Sequence, residues 1–264
     1  MNKSSMLGIV AAVVVFLASI LTATDQWAIF LDPHGILIVI GGTLAASMIC
    51  FPVKTVIGMV KVVFYRILGK NKMAVKNTIE EIVELSKGQR TNPKHLVENV
   101  DNIENPFLKE AIQLMNMGGL SPQQMDRILN KRAFVISKRH SKEAGIFKTM
   151  GKFPPAFGLM GTTLGMVALL QKLGSPESYK ALGPAMAIGL IATLYGIAVT
   201  NLILIPMGEN LTKANEEDDL VRQVILDGVK LLREGAHPLI VEEDLKSYLL
   251  PKERNEEFQQ QNAA

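Results

Sequence analysis

Residues 152–166 read KFPPAFGLMGTTLGM: a lysine, two prolines, then an apolar run carrying three glycines and two threonines. The run continues to Gln171, and residues 153–171 contain no Lys, Arg, Asp or Glu. A helix rises about 1.5 Å per residue, so ~20 uncharged residues cross the ~30 Å hydrocarbon core of a bilayer. Three further stretches meet that test: 4–24, 33–53 and 181–208, the last with residues to spare for tilt. A content of 48% hydrophobic residues over 264 positions is too apolar for an ordinary soluble domain. The predicted fold is all-α: a polytopic membrane protein with four transmembrane helices and a helical cytoplasmic domain.

The first stretch has the layout of a secretory signal, one lysine before an apolar run ending near LTA. It is long for a signal, and a second span follows almost at once, so it reads as the first helix. The lone Cys50 falls inside the second span; it cannot form an intramolecular disulfide and reads as a small core residue. Basic residues set the orientation. Residues 24–33 carry none, and 172–180 carry only Lys172 and Lys180, whereas Lys54, Lys61, Arg66, Lys148, Lys152 and Lys213 flank the other span ends. Both termini and the long middle segment are therefore predicted to be cytoplasmic, with 24–33 and 172–180 as short outer loops. A net charge of +3, its basic residues balanced locally by acids, argues against a nucleic-acid partner.

The predicted layout is a transmembrane hairpin (1–53), a helical cytoplasmic domain (54–152), spans three and four (153–208), C-terminal cytoplasmic helices (209–252) and a disordered polar tail (253–264). Within the middle segment, Thr78 and Glu81 have capping-box spacing and Gly88 suits a helix stop. Asn105 with Pro106, and Ser121 with Pro122, read as helix starts, and Gly118 as a terminator. Leu220, Val221, Val224, Ile225 and Val229 recur at helical spacing in a helix closed by Gly235 and Pro238.

Conventional catalysis leaves no trace: there is no glycine-rich phosphate loop, no Cys/His metal spacing and no nucleophile motif, so neither an enzyme nor a cofactor is expected. His34, His95, His140 and His237 are scattered and read as interfacial or surface residues. Small-residue faces (Gly158, Gly161 and Gly165; Gly41, Gly42, Ala45 and Ala46; Gly189, Ala192 and Gly196) predict close helix packing or oligomerisation. Thr162, Thr163 and Thr193 admit two readings. Each hydroxyl can bond back to a carbonyl one turn earlier, or it can lend an oxygen to a passing cation. No span contains a carboxylate, although ion channels normally place an ionisable group at depth. If this chain conducts, a partner supplies the acid. Pro154, Pro155 and Pro206 stand where spans meet flanking helices, as simple helix ends or as hinges.

PPAFGLMGTTLGMVALL, GPAMAIGLIATLYGIAVTNLILIP, VILDGVKLLREGAHPLIVEEDLKSYLLP and the hairpin ILIVIGGTLAASMICFP together resemble the flagellar motor stator A subunits, the MotA/PomA family, over about residues 5–252. The resemblance implies a homopentamer in the bacterial inner membrane around a MotB/PomB-type B-subunit dimer, whose transmembrane aspartate carries H+ or Na+ and supplies the missing carboxylate. It also implies torque on the rotor protein FliG. By that resemblance Thr162 and Thr193 match pore-side threonines, Pro155 and Pro206 the prolines at the cytoplasmic span ends, and Arg90 and Glu98 the rotor-contact charges. Threonine at both pore positions accompanies sodium-driven members of the family. Two departures stand out: the loop RTNPKHLVE has Pro93 and His95 where the family has Gly and Leu, and Lys152 replaces an acid. Pro93 argues against one continuous helix through the loop, so Arg90 and Glu98 are expected to make separate contacts. ExbB/TolQ-type energising subunits are a second resemblance; they share the last two spans but have three spans in all.

Overall fold

The computed structural model describes residues 3–24, 27–62, 74–92, 94–172, 178–251 and 253–254. Among them there is helix and no strand. In chain order the helices are α1 (Lys3–Ala23), α2 (Pro33–Ile36), α3 (Gly42–Cys50), α4 (Val53–Val62), α5 (Val75–Thr91), α6 (His95–Glu98), α7 (Pro106–Asn116), α8 (Pro122–Met150), α9 (Phe153–Lys172), α10 (Ser178–Ala198), α11 (Ile205–Arg233) and α12 (Pro238–Lys246). π-helical stretches join α2 to α3 (Leu37–Gly41) and α10 to α11 (Val199–Leu204).

Three helical paths are long and apolar enough to cross a membrane: Trp27–Cys50, Pro122–Gln171 and Met186–Arg233. A shorter apolar helix covers Val10–Ala23. The apolar stretches predicted from the sequence are thus all helical, three of them within paths of full spanning length. The chain divides into two compact units, one of residues 1–69 and 140–213, the other of 70–139 and 214–264.

The second unit is built by local signals that feed one core. The Asn105 side chain caps α7, accepting the N–H groups of Phe107 (2.9 Å) and Leu108 (3.3 Å), with Pro106 in the first turn. Gly118 and Gly119 follow that helix at φ +67° and +76°, a left-handed conformation open to glycine at little cost. Ser121 and Gln124 cap α8 reciprocally: Ser121 Oγ accepts the Gln124 N–H (3.3 Å), and Gln124 Oε1 accepts the Ser121 N–H (2.9 Å). α11 is closed by Gly235 at φ +67° ahead of Pro238. The helices bury Ile82, Leu108, Ile112, Leu129, Ile225 and Leu245 in a common core. Of the α11 stripe read from the sequence, Val221, Val224, Ile225 and Val229 join that core and Leu220 stays exposed.

α5 departs from its sequence reading. Thr78 does not cap it: the helix starts a turn earlier, with Ala74 at the N-cap, and Thr78 is fully buried with its hydroxyl on the Ala74 carbonyl. Glu81 instead accepts the N–H of Glu104 (2.8 Å). Gly88 does not stop the helix either. A side chain there would overlap the ring of His95, so this glycine makes room for the next turn of chain. Cys50 ends α3 exposed rather than in a core. The tail predicted to be disordered lies, from residue 255 on, outside the described residues, as do Pro93 and residues 173–177 of the predicted outer loop.

Candidate functional site

In the first unit the glycines of α9 and α10 face one another. A Cβ on Gly158 would lie 2.9 Å from Thr193 Cα, on Gly161 2.6 Å from Ala192 Cβ, and on Gly189 3.1 Å from Thr162 Cα. A Cβ on Gly196 would run into the Pro154 carbonyl. Each distance is below ordinary van der Waals contact, so the backbones approach as closely as they do only because these positions lack side chains.

That approach brings two of the three threonines together. Thr162 Oγ1 and Thr193 Oγ1 are 2.5 Å apart, both half-buried between the helices. Thr162 Oγ1 also lies 2.9 Å from the Gly189 carbonyl and 3.2 Å from that of Gly158, while Thr193 Oγ1 lies 3.1 Å from the Gly158 carbonyl. Two hydroxyl protons serve this cluster: one is shared between the threonines, and the other goes to a backbone carbonyl. The donors are then spent, and the Gly158 and Gly189 carbonyls already accept helix N–H groups, but lone pairs on both hydroxyls remain free to accept. An arrangement with acceptors free and donors spent suits a cation, or the O–H of a neutral carboxylic acid. Thr163 differs: it is exposed and bonds back to the Met160 carbonyl (2.8 Å).

The two candidate hinge prolines sit differently. Pro154 and Pro155 occupy the first turn of α9, where their missing N–H groups leave no intrahelical bond unmade. The turn before them, Gly151–Lys152, is held by the Gly151 N–H on the Phe147 carbonyl (2.9 Å). The Thr200 hydroxyl donates to the Gly151 carbonyl at 2.9 Å from a buried position. Pro206 does not end a helix: the helical path runs through it into α11, and the π-helical stretch Val199–Leu204 comes immediately before. Proline cannot donate to the carbonyl four residues back and clashes with it, and widening to i→i+5 bonding accommodates both defects. Near this level Lys152 is exposed, and Lys148 pairs with Glu209 (3.1 Å).

Further contacts in the interface were not singled out by the sequence. The Tyr195 hydroxyl donates to the Phe30 carbonyl and accepts the N–H of Asp32 (3.1 Å), tying α10 to the turn before α2. The spacing 189–193–196–200 is a helical stripe, a signal from which Thr200 could have been placed on the Thr193 face; nothing local marked Tyr195, whose partners lie more than 160 residues away.

Arg90 and Glu98 belong to the other unit. Arg90 is exposed in the last turn of α5, and Glu98 is exposed at the end of α6, accepting a bond from Asn92 Nδ2 (3.1 Å). No ion pair joins them among the described residues. His95 proves to be a loop support rather than a free surface residue: half-buried, it packs over Gly88, and Asn99 Nδ2 donates to its Nδ1 (3.1 Å). Behind this loop, burial pushes the Glu81 carboxyl above its ordinary value, partly offset by the Glu104 N–H. Among the described residues no cluster of three or more His, Cys, Asp or Glu is placed to hold a metal ion.

Comparison with known proteins follows the same outline. Residues 99–224 match the MotA/TolQ/ExbB proton channel family. The chain is 32% identical over 261 residues to motility protein A of Borreliella burgdorferi, covering 97% of each. It is 29% identical over 249 residues to the chemotaxis protein PomA of Vibrio alginolyticus, covering 94% of this chain and 96% of that one. Among solved structures, the flagellar MotAB stator complex from Bacillus subtilis contains a chain similar at a TM-score of 0.85 and 26% identity, with 97% of this chain and 99% of that one covered.

Proposed function

Because this chain belongs to the MotA/PomA family of flagellar motor stator subunits, we propose that Thr162 and Thr193 form its share of the ion path of a proton or sodium channel that turns ion flow into torque. The observation that carries this reading is the hydroxyl pair itself, 2.5 Å apart across a glycine-packed interface and with hydroxyl lone pairs left to accept. The spans hold no carboxylate of their own, and a MotB/PomB-type partner brings one on its transmembrane aspartate; the solved relative from Bacillus subtilis is a MotAB complex. The ExbB/TolQ alternative is set aside, since relatives named motility protein A and PomA match along more than nine-tenths of this chain.

On this reading four helices span the inner membrane, both termini and the unit centred on Ile82 and Leu108 are cytoplasmic, and five copies surround a B-subunit dimer. Arg90 and Glu98 meet opposite charges on FliG. Pro155 and Pro206 allow the spans to bend relative to the helices that continue beyond them. The carried ion leans to sodium, a hard cation that takes hydroxyl and carbonyl oxygens as ligands, whereas a proton needs only the partner's aspartate.

Co-expressing the chain with a B subunit whose periplasmic plug is deleted tests the proposal. An ion leak that slows growth and is lost in Thr162→Val supports it. Absence of leak from a complex that assembles at normal levels overturns it. Motility unchanged on removing sodium removes the sodium lean alone.

A further inference from the structure

Two helix faces of the second unit are apolar, oppositely charged and uncovered among the described residues. On α8, Met125 and Leu129 enter the core, whereas Phe134 and Val135 are 66% and 55% exposed on the other side. Arg127, Lys131 and Lys138 surround them, and at about 100° per residue all five fall within about a third of the helix circumference. On α12, Val241 and Leu245 enter the core, whereas Leu239 and Ile240 are 65% and 59% exposed. Glu243 and Asp244 are exposed on the same side. Single exposed apolar residues are ordinary, but adjacent pairs with a collar of one charge sign mark a contact surface.

We infer that these two faces dock on each other between copies of this chain: the basic face of α8 on one subunit against the acidic face of α12 on the next. The argument is complementarity. Phe134 and Val135 meet Leu239 and Ile240 at the centre, and three cations meet two carboxylates at the rim, the usual anatomy of a protein interface. Because two different faces engage, the contact is heterologous and passes around a closed ring. A stable interface takes about 20–30 residues a side, so this patch acts together with other contacts between the same copies. The inference rests on the reading that the chain assembles with copies of itself.

The test is disulfide trapping in membranes, with the full chain co-expressed with its B subunit and Cys50 replaced by alanine. Val135→Cys and Ile240→Cys are placed on separately tagged copies. A cross-linked dimer carrying both tags is expected only when both variants are present. Lys131→Glu with Lys138→Glu should abolish it, and Glu243→Lys with Asp244→Lys should restore it. A dimer formed by either single-cysteine variant alone, a cross-link indifferent to charge reversal, or no cross-link in a complex that native mass spectrometry finds assembled overturns the inference. Recovery of the unsubstituted chain as a monomer overturns the assembly reading as well.

Discussion

Replacing Thr162 by valine separates packing from ion handling, because valine keeps the branched shape and removes only the oxygen. The structure sets the packing cost. With Thr162 Oγ1 gone, the Thr193 hydroxyl still reaches the Gly158 carbonyl at 3.1 Å, so no donor is stranded. The loss is that of one satisfied hydrogen bond, about 1 kcal/mol. Adding Thr193→Val should cost less than a second full increment, because the 2.5 Å contact is shared between the two sites and is counted in both single variants. Conduction should fall much further. A contact to a charged species is worth about 1.5–3 kcal/mol, equivalent to roughly 10- to 100-fold in flux at 1.36 kcal/mol per decade. Two assays on the same complex decide it: thermal unfolding after purification, and ion flux through the unplugged channel in vesicles. Flux within twofold of the unsubstituted complex, or a stability loss above about 3 kcal/mol, would refute the reasoning and leave the pair a structural clasp.

Gly161→Ala should be harsher than any threonine change, since its methyl would sit 2.6 Å from Ala192 Cβ and must push α9 from α10. An overpacking cost of about 1–3 kcal/mol should appear as reduced recovery of the folded complex, and full recovery would show that the helices yield freely. Gly88→Ala should leave membrane levels near normal yet reduce swarming, because the new Cβ lands on the His95 ring and displaces the loop that carries Glu98; unchanged motility would argue against that loop as a working surface. Arg90→Ala and Glu98→Ala should each be mild and the double variant severe, since exposed charge contacts are worth ~1 kcal/mol or less; a fully motile double variant would remove both from the rotor surface. Glu81 has a folded pKa raised by burial, so between its ordinary value of 4.5 and that higher value the folded state holds more protons than the unfolded. Stability should therefore fall as pH rises through that window, and unfolding curves of Glu81→Gln across it should lose this component of the slope.

Local chemistry determined much of this protein from the sequence alone. Four uncharged apolar stretches predicted helices of membrane-spanning character, and Asn105–Pro106, Ser121–Pro122, Gly118 and Gly235 marked helix ends where the structure has them. These signals are legible because a cap or a stop is satisfied within a few residues of chain. Where the sequence reading failed, the deciding partner was distant. Gly88 was read as a stop because nothing near it reveals that the ring of His95 will need its space, and Thr78 was read as a cap because only burial against the core makes it an interior residue. Pro206 was open to reading as a helix end or a hinge, and the helix continues through it behind a π-helical stretch. The threonines carried the clearest division of labour. The sequence singled out Thr162 and Thr193 as hydroxyls in apolar spans, but backbone bonding and ion lining were equally compatible with it. Only the packing of α9 on α10, glycine against backbone, sets the two hydroxyls 2.5 Å apart with acceptors to spare. That juxtaposition is a property of two helices in contact, and neither helix encodes it by itself.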